Sequence, residues 1–314
     1  MGVAVVFPGQ GTQRPGMGVP WRDEPVWGLV ERAETALGRS LAGLLLDSEP
    51  RGLERTADAQ VAVFLASLLA WEALRPRLEP PVTFAGHSLG QITALVAAQA
   101  LSFEDGVRLA WRRAELTQNS ADRRPGRMAA LMGADEALAL EACKAAPEAC
   151  WLANDNAPGQ VVIAGTPEGL EAACQAARLA GVRKVIPLAV GGAFHTPLMA
   201  DAAEALLPEM ERIAFLAPAA PVVTNHDAAA HDTATGWPEM LAEHLVAPLR
   251  WRASTAALQA CGADSFLEVG PGTTLSALVK RCLPGVPVAN VGVPADIKLR
   301  DTEPRDITLS LEVV

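Results

Sequence analysis

Val82-Thr83-Phe84-Ala85-Gly86-His87-Ser88-Leu89-Gly90-Gln91-Ile92 is the stretch on which the fold turns. It opens as a short apolar run, predicted to be a buried strand. It passes through G-x-S-x-G at Gly86–Gly90 and continues into an apolar helical segment from Ile92 to Ala100. Strand, tight turn and helix are the setting of a nucleophile elbow. Glycine at 86 and at 90 lets the backbone turn where a Cβ would crowd the neighbouring strand and helix. The turn lifts Ser88 Oγ out of the sheet. It also leaves the Leu89 N–H free at the start of a helix, where a developing oxyanion is stabilised.

Upstream, Val3–Phe7 reads as the first strand and runs into Pro8-Gly9-Gln10-Gly11-Thr12-Gln13. This loop lacks the G-K-[ST] ending of a phosphate loop. Its glycines allow a close backbone approach at a strand end, which is where open α/β sheets hold ligands. Apolar periodicity predicts a helix over 25–46 and a long apolar one from Asp58 to Leu74, stopped by Pro76. Gln60, near the start of that helix, is either exposed or a site-facing amide. A further helix runs from Ser102, an N-cap with Asp105 three residues on, to Asn119.

The register changes at Arg124-Pro125-Gly126. Strands at 128–132, 150–153, 160–164 and 183–189 alternate with helices at 135–145 and 167–180. Asn154-Asp155-Asn156-Ala157-Pro158-Gly159 reads as a turn-rich bridge between the middle two strands. The order β-α-β-β-α-β is ferredoxin-like. The expectation is therefore α/β: a large domain over 1–125 and 191–293, with a ferredoxin-like small subdomain inserted at 126–190. Beyond it come a helix at 197–213, a strand at 221–225, helices at 237–246 and 250–260, a strand at 265–269, a helix at 273–282 and a strand at 286–291. The C-terminal stretch 294–314 is open between a tail, an edge strand and a partner contact.

With 314 residues and 50% hydrophobic content, the chain can bury a large core. No apolar run looks long enough to cross a bilayer, and the N-terminus enters a strand without a basic leader, so a cytoplasmic protein is expected. Five scattered cysteines without C-x-x-C disfavour both disulfides and zinc. A net charge of −10 disfavours nucleic acid as a partner. Arginines still gather at 108, 112, 113, 123, 124 and 127, either as a solvated helix face or as a short-range docking patch for an acidic partner.

A serine nucleophile needs a base. Of the five histidines, His87 adjoins the serine on the wrong side of the backbone and suits packing or a supporting hydrogen bond. His231 and His244 fall in polar surroundings and are expected to be exposed. His226 follows a strand in Thr-Asn-His-Asp. His195 follows two glycines at the place where the inserted unit returns to the main sheet, and domain junctions are where clefts form. The pattern favours His195 over His226.

Phe7-Pro-Gly-Gln-Gly-Thr-Gln13, Gly86-His-Ser-Leu-Gly90, Arg113, Asn156-Ala-Pro-Gly-Gln160, Gly192-Ala-Phe-His195 and Glu268-Val-Gly-Pro-Gly272 stand in one order from residue 3 to about 291. In this the chain resembles the malonyl-CoA:acyl-carrier-protein transacylases. The resemblance implies an α/β-hydrolase-like large domain with a ferredoxin-like insert. It makes Ser88 the nucleophile that takes the acyl group from coenzyme A and His195 the base. It places the oxyanion hole at the backbone N–H groups of Gln10 and Leu89, and a histidine-orienting backbone carbonyl at Arg250. Arg113 becomes the grip on the free malonyl carboxylate, a role suited to a planar and permanently charged guanidinium. Gln60, Phe194 and the Asn154/Asn156 turn border the acyl pocket, Phe194 resembling the residue that narrows it toward malonyl over methylmalonyl. Gln91, Gln99 and His226 depart from the family pattern without removing a catalytic group.

The function so implied is ping-pong transfer of malonyl from malonyl-CoA to the phosphopantetheine thiol of an acyl carrier protein. No metal or redox cofactor is expected, and neither a membrane nor a nucleic-acid partner; the protein is expected to be monomeric. The carrier would dock at the 112–127 arginines or at Lys280-Arg281. Rival readings keep the serine and histidine but use water as acceptor, take another carboxylated or carrier-bound acyl donor, or make the chain a non-catalytic docking protein.

Overall fold

A computed structural model describes residues 2–47, 53 and 55–301. Its strands are β1 (Val3–Phe7), β2 (Thr83–Gly86), β3 (Arg127–Met132), β4 (Cys150–Ala157), β5 (Gln160–Gly165), β6 (Lys184–Pro187), β7 (Val222–Val223), β8 (Ala230–His231), β9 (Ser265–Val269) and β10 (Val288–Val291). They form two sheets. One has the order β10-β9-β1-β2-β7-β8 and is parallel except for the β7–β8 pair. The other has the order β4-β5-β3-β6 and is antiparallel throughout. The fold is thus α/β with mixed sheets, and the strands of the second sheet all fall within 127–187.

The helices are α1 (Gly28–Leu37), α2 (Ala42–Leu46), α3 (Thr56–Leu74), α4 (Gly90–Ala97), α5 (Phe103–Arg123), α6 (Glu136–Cys143), α7 (Pro167–Leu179), α8 (Ala200–Met210), α9 (Trp237–Val246), α10 (Trp251–Ala260), α11 (Thr274–Cys282) and α12 (Pro294–Asp301). The single helix expected over 25–46 is broken in two. Gly38 takes φ 64° at the end of α1, and the Glu34 carboxylate then accepts from the Leu41 and Ala42 N–H groups that open α2. A left-handed residue ends the first helix, and an anion caps the second.

Most of α3 is buried on every side: Val61, Phe64, Leu65, Leu68 and Leu69 are at most 1% exposed. By length and hydropathy the span Thr56–Arg77 would cross a bilayer, contrary to the expectation from apolar runs, but 83% of its most apolar window is buried in the protein. A helix apolar all round belongs in a core. In the same way, the first part of 294–314 is a helix, α12, whose Ile297 is 5% exposed and packs into the main core. The rest of that stretch lies outside the described residues.

The two central runs of the second sheet meet differently from the sequence expectation. Residues Asn154–Asn156 belong to β4 itself, and the turn shrinks to Pro158-Gly159, with Gly159 at φ 69°. Register shifts flank Asn154 and Asp155 in the pairing with β5. At that irregularity the strand bonds to a different part of the chain: Leu249 N–H donates to Ala153 O at 2.8 Å and Asp155 N–H to Leu249 O at 2.9 Å. The second sheet is thereby stitched by backbone to the segment between α9 and α10.

Candidate active site

The elbow is built by mutual exclusion of side chains. A Cβ on Gly86 would overlap the Gly90 backbone, and one on Gly90 would overlap the Phe7 carbonyl. With those two contacts closed, α4 starts directly against β1 and β2. Ser88 is forced to φ 55°, a left-handed conformation that a non-glycine residue holds only when its surroundings dictate it. Its N–H donates to Asn225 Oδ1 at 2.9 Å, just beyond β7. The Gly9 loop lies on the elbow too, since a Cβ there would overlap the His87 carbonyl.

Two side chains converge on Ser88 Oγ. The hydroxyl donates to His195 Nε2 at 2.9 Å and accepts from Arg113 Nη2 at 3.1 Å. His195 Nδ1–H donates to the backbone carbonyl of His244 at 2.8 Å. A carbonyl can only accept, so this bond fixes the tautomer and leaves the Nε2 lone pair facing the serine. His195 is 3% exposed and sits at φ 60°. Burial first, and the nearby Arg113 charge second, push its pKa down to about 3, against the pull of the His244 carbonyl. The resting imidazole is neutral and able to take a proton.

Arg113, on α5, is 6% exposed, and burial alone lowers its pKa to about 10, so it stays charged at neutral pH. Its Nη1 donates to Gln60 Oε1, whose amide nitrogen donates to Thr117 Oγ1 at 3.1 Å. Thr117 Oγ1 in turn donates to Arg113 O at 2.8 Å. This ring of bonds between α3 and α5 aims the guanidinium at the serine. Among the described residues no carboxylate pairs with it. A buried cation without a counter-ion is costly, and it makes the site a receptor for an anion. Gln60, at 1% exposed, is the site-facing amide of the two alternatives.

The orienting carbonyl is a correction. Arg250 does not supply it: its carbonyl accepts from Ser254 within the first turn of α10. The donor-free carbonyl is that of His244, in the last turn of α9. Four residues on stands Pro248, which has no N–H, so the His244 carbonyl has no helical partner and is available to His195. His244 itself is 3% exposed, not on the surface as its polar neighbours suggested. His226 makes no bond to Ser88; its Nε2 lies 3.8 Å from Asp227. His87 plays the supporting part, its Nε2–H donating to Asn156 Oδ1 at 3.1 Å.

The backbone N–H groups of Gln10 and Leu89 have no acceptor among the described residues, Leu89 standing at the N-terminus of α4. Gln10 is held through its side chain, which donates to Thr56 Oγ1 at 3.1 Å. Phe194 is half-buried between the two cores, against Gly192. Half of the arginine-rich stretch is spent in ion pairs within the chain: Arg108 pairs with Asp105, Arg112 with Glu209 and Arg124 with Asp201. Asn225 was missed by the sequence reading. Lying beside a strand end, it carried no signal beyond its turn.

The family model described as acyl transferase domain matches residues 4–297. The malonyl CoA-acyl carrier protein transacylase of Salmonella typhimurium is 35% identical over 307 residues, covering 96% of this chain and 99% of the relative. An acyl carrier protein S-malonyltransferase from Vibrio cholerae superposes with a TM-score of 0.90 at 32% identity, covering 96% of this chain and 100% of the other. A malonyl-transacylase solved in complex with its type II polyketide synthase acyl carrier protein superposes equally well, TM-score 0.90 at 34% identity, covering 95% and 98%.

Proposed function

The chain belongs to the acyl transferase domain family, and on that premise we propose that it moves a malonyl group from malonyl-CoA to the phosphopantetheine thiol of an acyl carrier protein through a Ser88 acyl-enzyme. The observation that carries this reading is the buried, uncompensated Arg113 guanidinium bonded to the nucleophile's own oxygen.

Ser88 Oγ attacks the thioester carbonyl while its proton passes to His195 Nε2. The oxyanion so formed is met by the Gln10 and Leu89 N–H groups; removing one such donor costs about 3–4 kcal/mol of transition-state stabilisation. The C–S bond then breaks, and the coenzyme A thiolate takes the proton from His195. Arg113 leaves the serine oxygen for the malonyl carboxylate, held in register by Gln60. A carrier thiol gives its proton to His195, attacks the ester carbonyl, and returns Ser88 to its hydroxyl form. These steps use no metal or redox cofactor; the coenzyme A thioester and the phosphopantetheine are substrates. Phe194 borders the acyl chain. With Arg108, Arg112 and Arg124 in ion pairs, exposed Lys280 and Arg281 are the place for an acidic carrier to dock, although Arg281 also donates to Gln160 Oε1 and Pro158 O.

In fold terms, the strand order β4-β5-β3-β6 with α6 and α7 supports a ferredoxin-like subdomain at 126–190. The first sheet with its elbow supports a hydrolase-like large domain over 1–125 and 191–293. We place the reaction in the cytoplasm.

The test offers malonyl-CoA, methylmalonyl-CoA and acetyl-CoA in competition and reads intact-protein mass, with Ser88→Ala as control. A malonyl adduct on the wild type alone is expected. Free malonate released as fast as transfer to a carrier would point to a hydrolase, and an adduct that survives Ser88→Ala would remove the serine from its role.

A further inference from the structure

His244 gives its carbonyl to His195, and it also gives its ring. The two imidazoles lie with centroids 5.0 Å apart and planes tilted by 33°. The His244 ring is fixed there by burial, and its Nε2 has no hydrogen-bond partner among the described residues. An unpartnered buried nitrogen is a liability to the fold, so packing alone would be served better by an apolar residue. What the ring does offer is a flat π-face against the base. Burial first, and then the charge that His195, Arg113, His226 and His87 carry or can acquire nearby, hold the His244 ring well below the usual histidine pKa.

We propose that the His244 side chain is a positioning residue for the proposed transfer: a neutral aromatic shelf that sets the rotation of the His195 ring toward Ser88 and supports it when it carries the proton. Two constraints then act on one imidazole. The carbonyl bond fixes which nitrogen bears hydrogen, and the shelf fixes the angle about that bond. Without the shelf the ring can turn about the Nδ1–H···O axis, which swings Nε2 off Oγ. An electron-poor imidazolium is also favoured over an electron-rich face, the sense of a cation–π contact.

This inference rests on the reading of Ser88 and His195 given above, and its test separates the two. His244→Phe keeps an aromatic face, whereas His244→Gln keeps length and polarity without one, and His244→Ala keeps neither. All three retain the backbone carbonyl. The rate of malonyl adduct formation is measured by intact mass against pH, with the thermal midpoint of each variant. Nitrogen-15 spectra of histidine-labelled protein report the His195 tautomer and titration without any substrate.

His244→Phe is expected within about threefold of wild type, while Gln and Ala fall by roughly 10- to 100-fold, the penalty of a misplaced catalytic group. In those two the acid limb of the rate and the His195 titration move up toward the ordinary histidine value, because water reaching the ring stabilises the imidazolium by more than the lost π-face did. Gln and Ala variants that fold, react and titrate like wild type overturn the proposal. So does a Phe variant as slow as Ala, or losses that track the thermal midpoint with unmoved titrations. Absence of any adduct on wild type, with the nitrogen-15 differences intact, would count against the transacylase reading and leave the shelf standing.

Discussion

Arg113 Nη2 lies 3.1 Å from Ser88 Oγ, so a buried guanidinium rests directly on the elbow hydroxyl. The contact polarises the serine oxygen, and on the proposed reading it keeps a cation where the acyl carboxylate is to bind. Replacing Arg113 with Gln removes that charge without opening a large void. Acylation by malonyl-CoA is expected to fall roughly 100-fold, the worth of a charge-assisted bidentate contact. Acetyl-CoA use should be spared or raised. Equal losses for both acyl groups, measured as kcat/KM, would show that the arginine serves the serine and not the carboxylate.

The same charge acts on the base. Arg113 disfavours the imidazolium form of His195 and so contributes to the lowering to about 3. Removing it raises the His195 pKa. The acid limb of acetyl-CoA acylation in Arg113→Gln is therefore expected at higher pH than in the wild type, shifted toward 6.5. A limb that stays in place would mean that burial alone sets the titration.

Folding stability should feel the buried imidazoles as well. His195 and His244 are neutral in the folded chain and protonate only well below their unfolded value near 6.5. Below that pH the unfolded state binds more protons, so stability is full above about 6.5 and is lost as pH falls toward 3. Each such group contributes about 1.4 kcal/mol per pH unit within its window. Urea unfolding from pH 7 to 4.5 should show the midpoint dropping, and the slope should lessen by about one proton in His244→Phe.

Asn225 supports the elbow from outside the catalytic pair. Its Oδ1 takes the Ser88 N–H while its Nδ2 is buried without a partner among the described residues, so the two halves of the amide act on stability in opposite senses. Asn225→Ala is expected to change stability by less than about 2 kcal/mol and yet slow acylation tenfold or more, because the strained serine backbone loses its tether. A thermal midpoint and an adduct rate on the same sample test both halves.

Gly90→Ala puts a methyl into the Phe7 carbonyl and is expected to cost about 3 kcal/mol or more in urea unfolding. Gly28→Ala is the control. That glycine has φ −54° and open space around it, so stability should hold or rise by up to about 1 kcal/mol.

The site was legible where chemistry leaves a local mark. G-x-S-x-G between strand and helix names Ser88 without any knowledge of the fold, and the glycines before His195 mark a return from an insertion. Gln60 could have been placed too: α3 is apolar all round, and a polar residue on such a helix has nowhere exposed to go. What escaped were partners supplied by backbone and by distant turns. The His244 carbonyl is invisible in a side-chain reading, although Pro248 four residues on announces a carbonyl left without its donor. Asn225 reaches Ser88 across 137 positions of sequence, and nothing local ties the two. Asn154–Asn156 misled because asparagine and aspartate favour turns. Here they continue a strand whose irregularities let it bond to Leu249 instead.

The left-handed backbone of Ser88 also limits which elements of chemistry can occupy the elbow. At φ 55° an unbranched side chain is tolerated, while a branch at Cβ is driven against its own backbone. Threonine, the closest hydroxyl relative of serine, is thereby shut out, whereas cysteine, which exchanges oxygen for sulfur, would leave the turn undisturbed. The shape of one peptide unit makes the nucleophile's atom easier to change than its carbon skeleton.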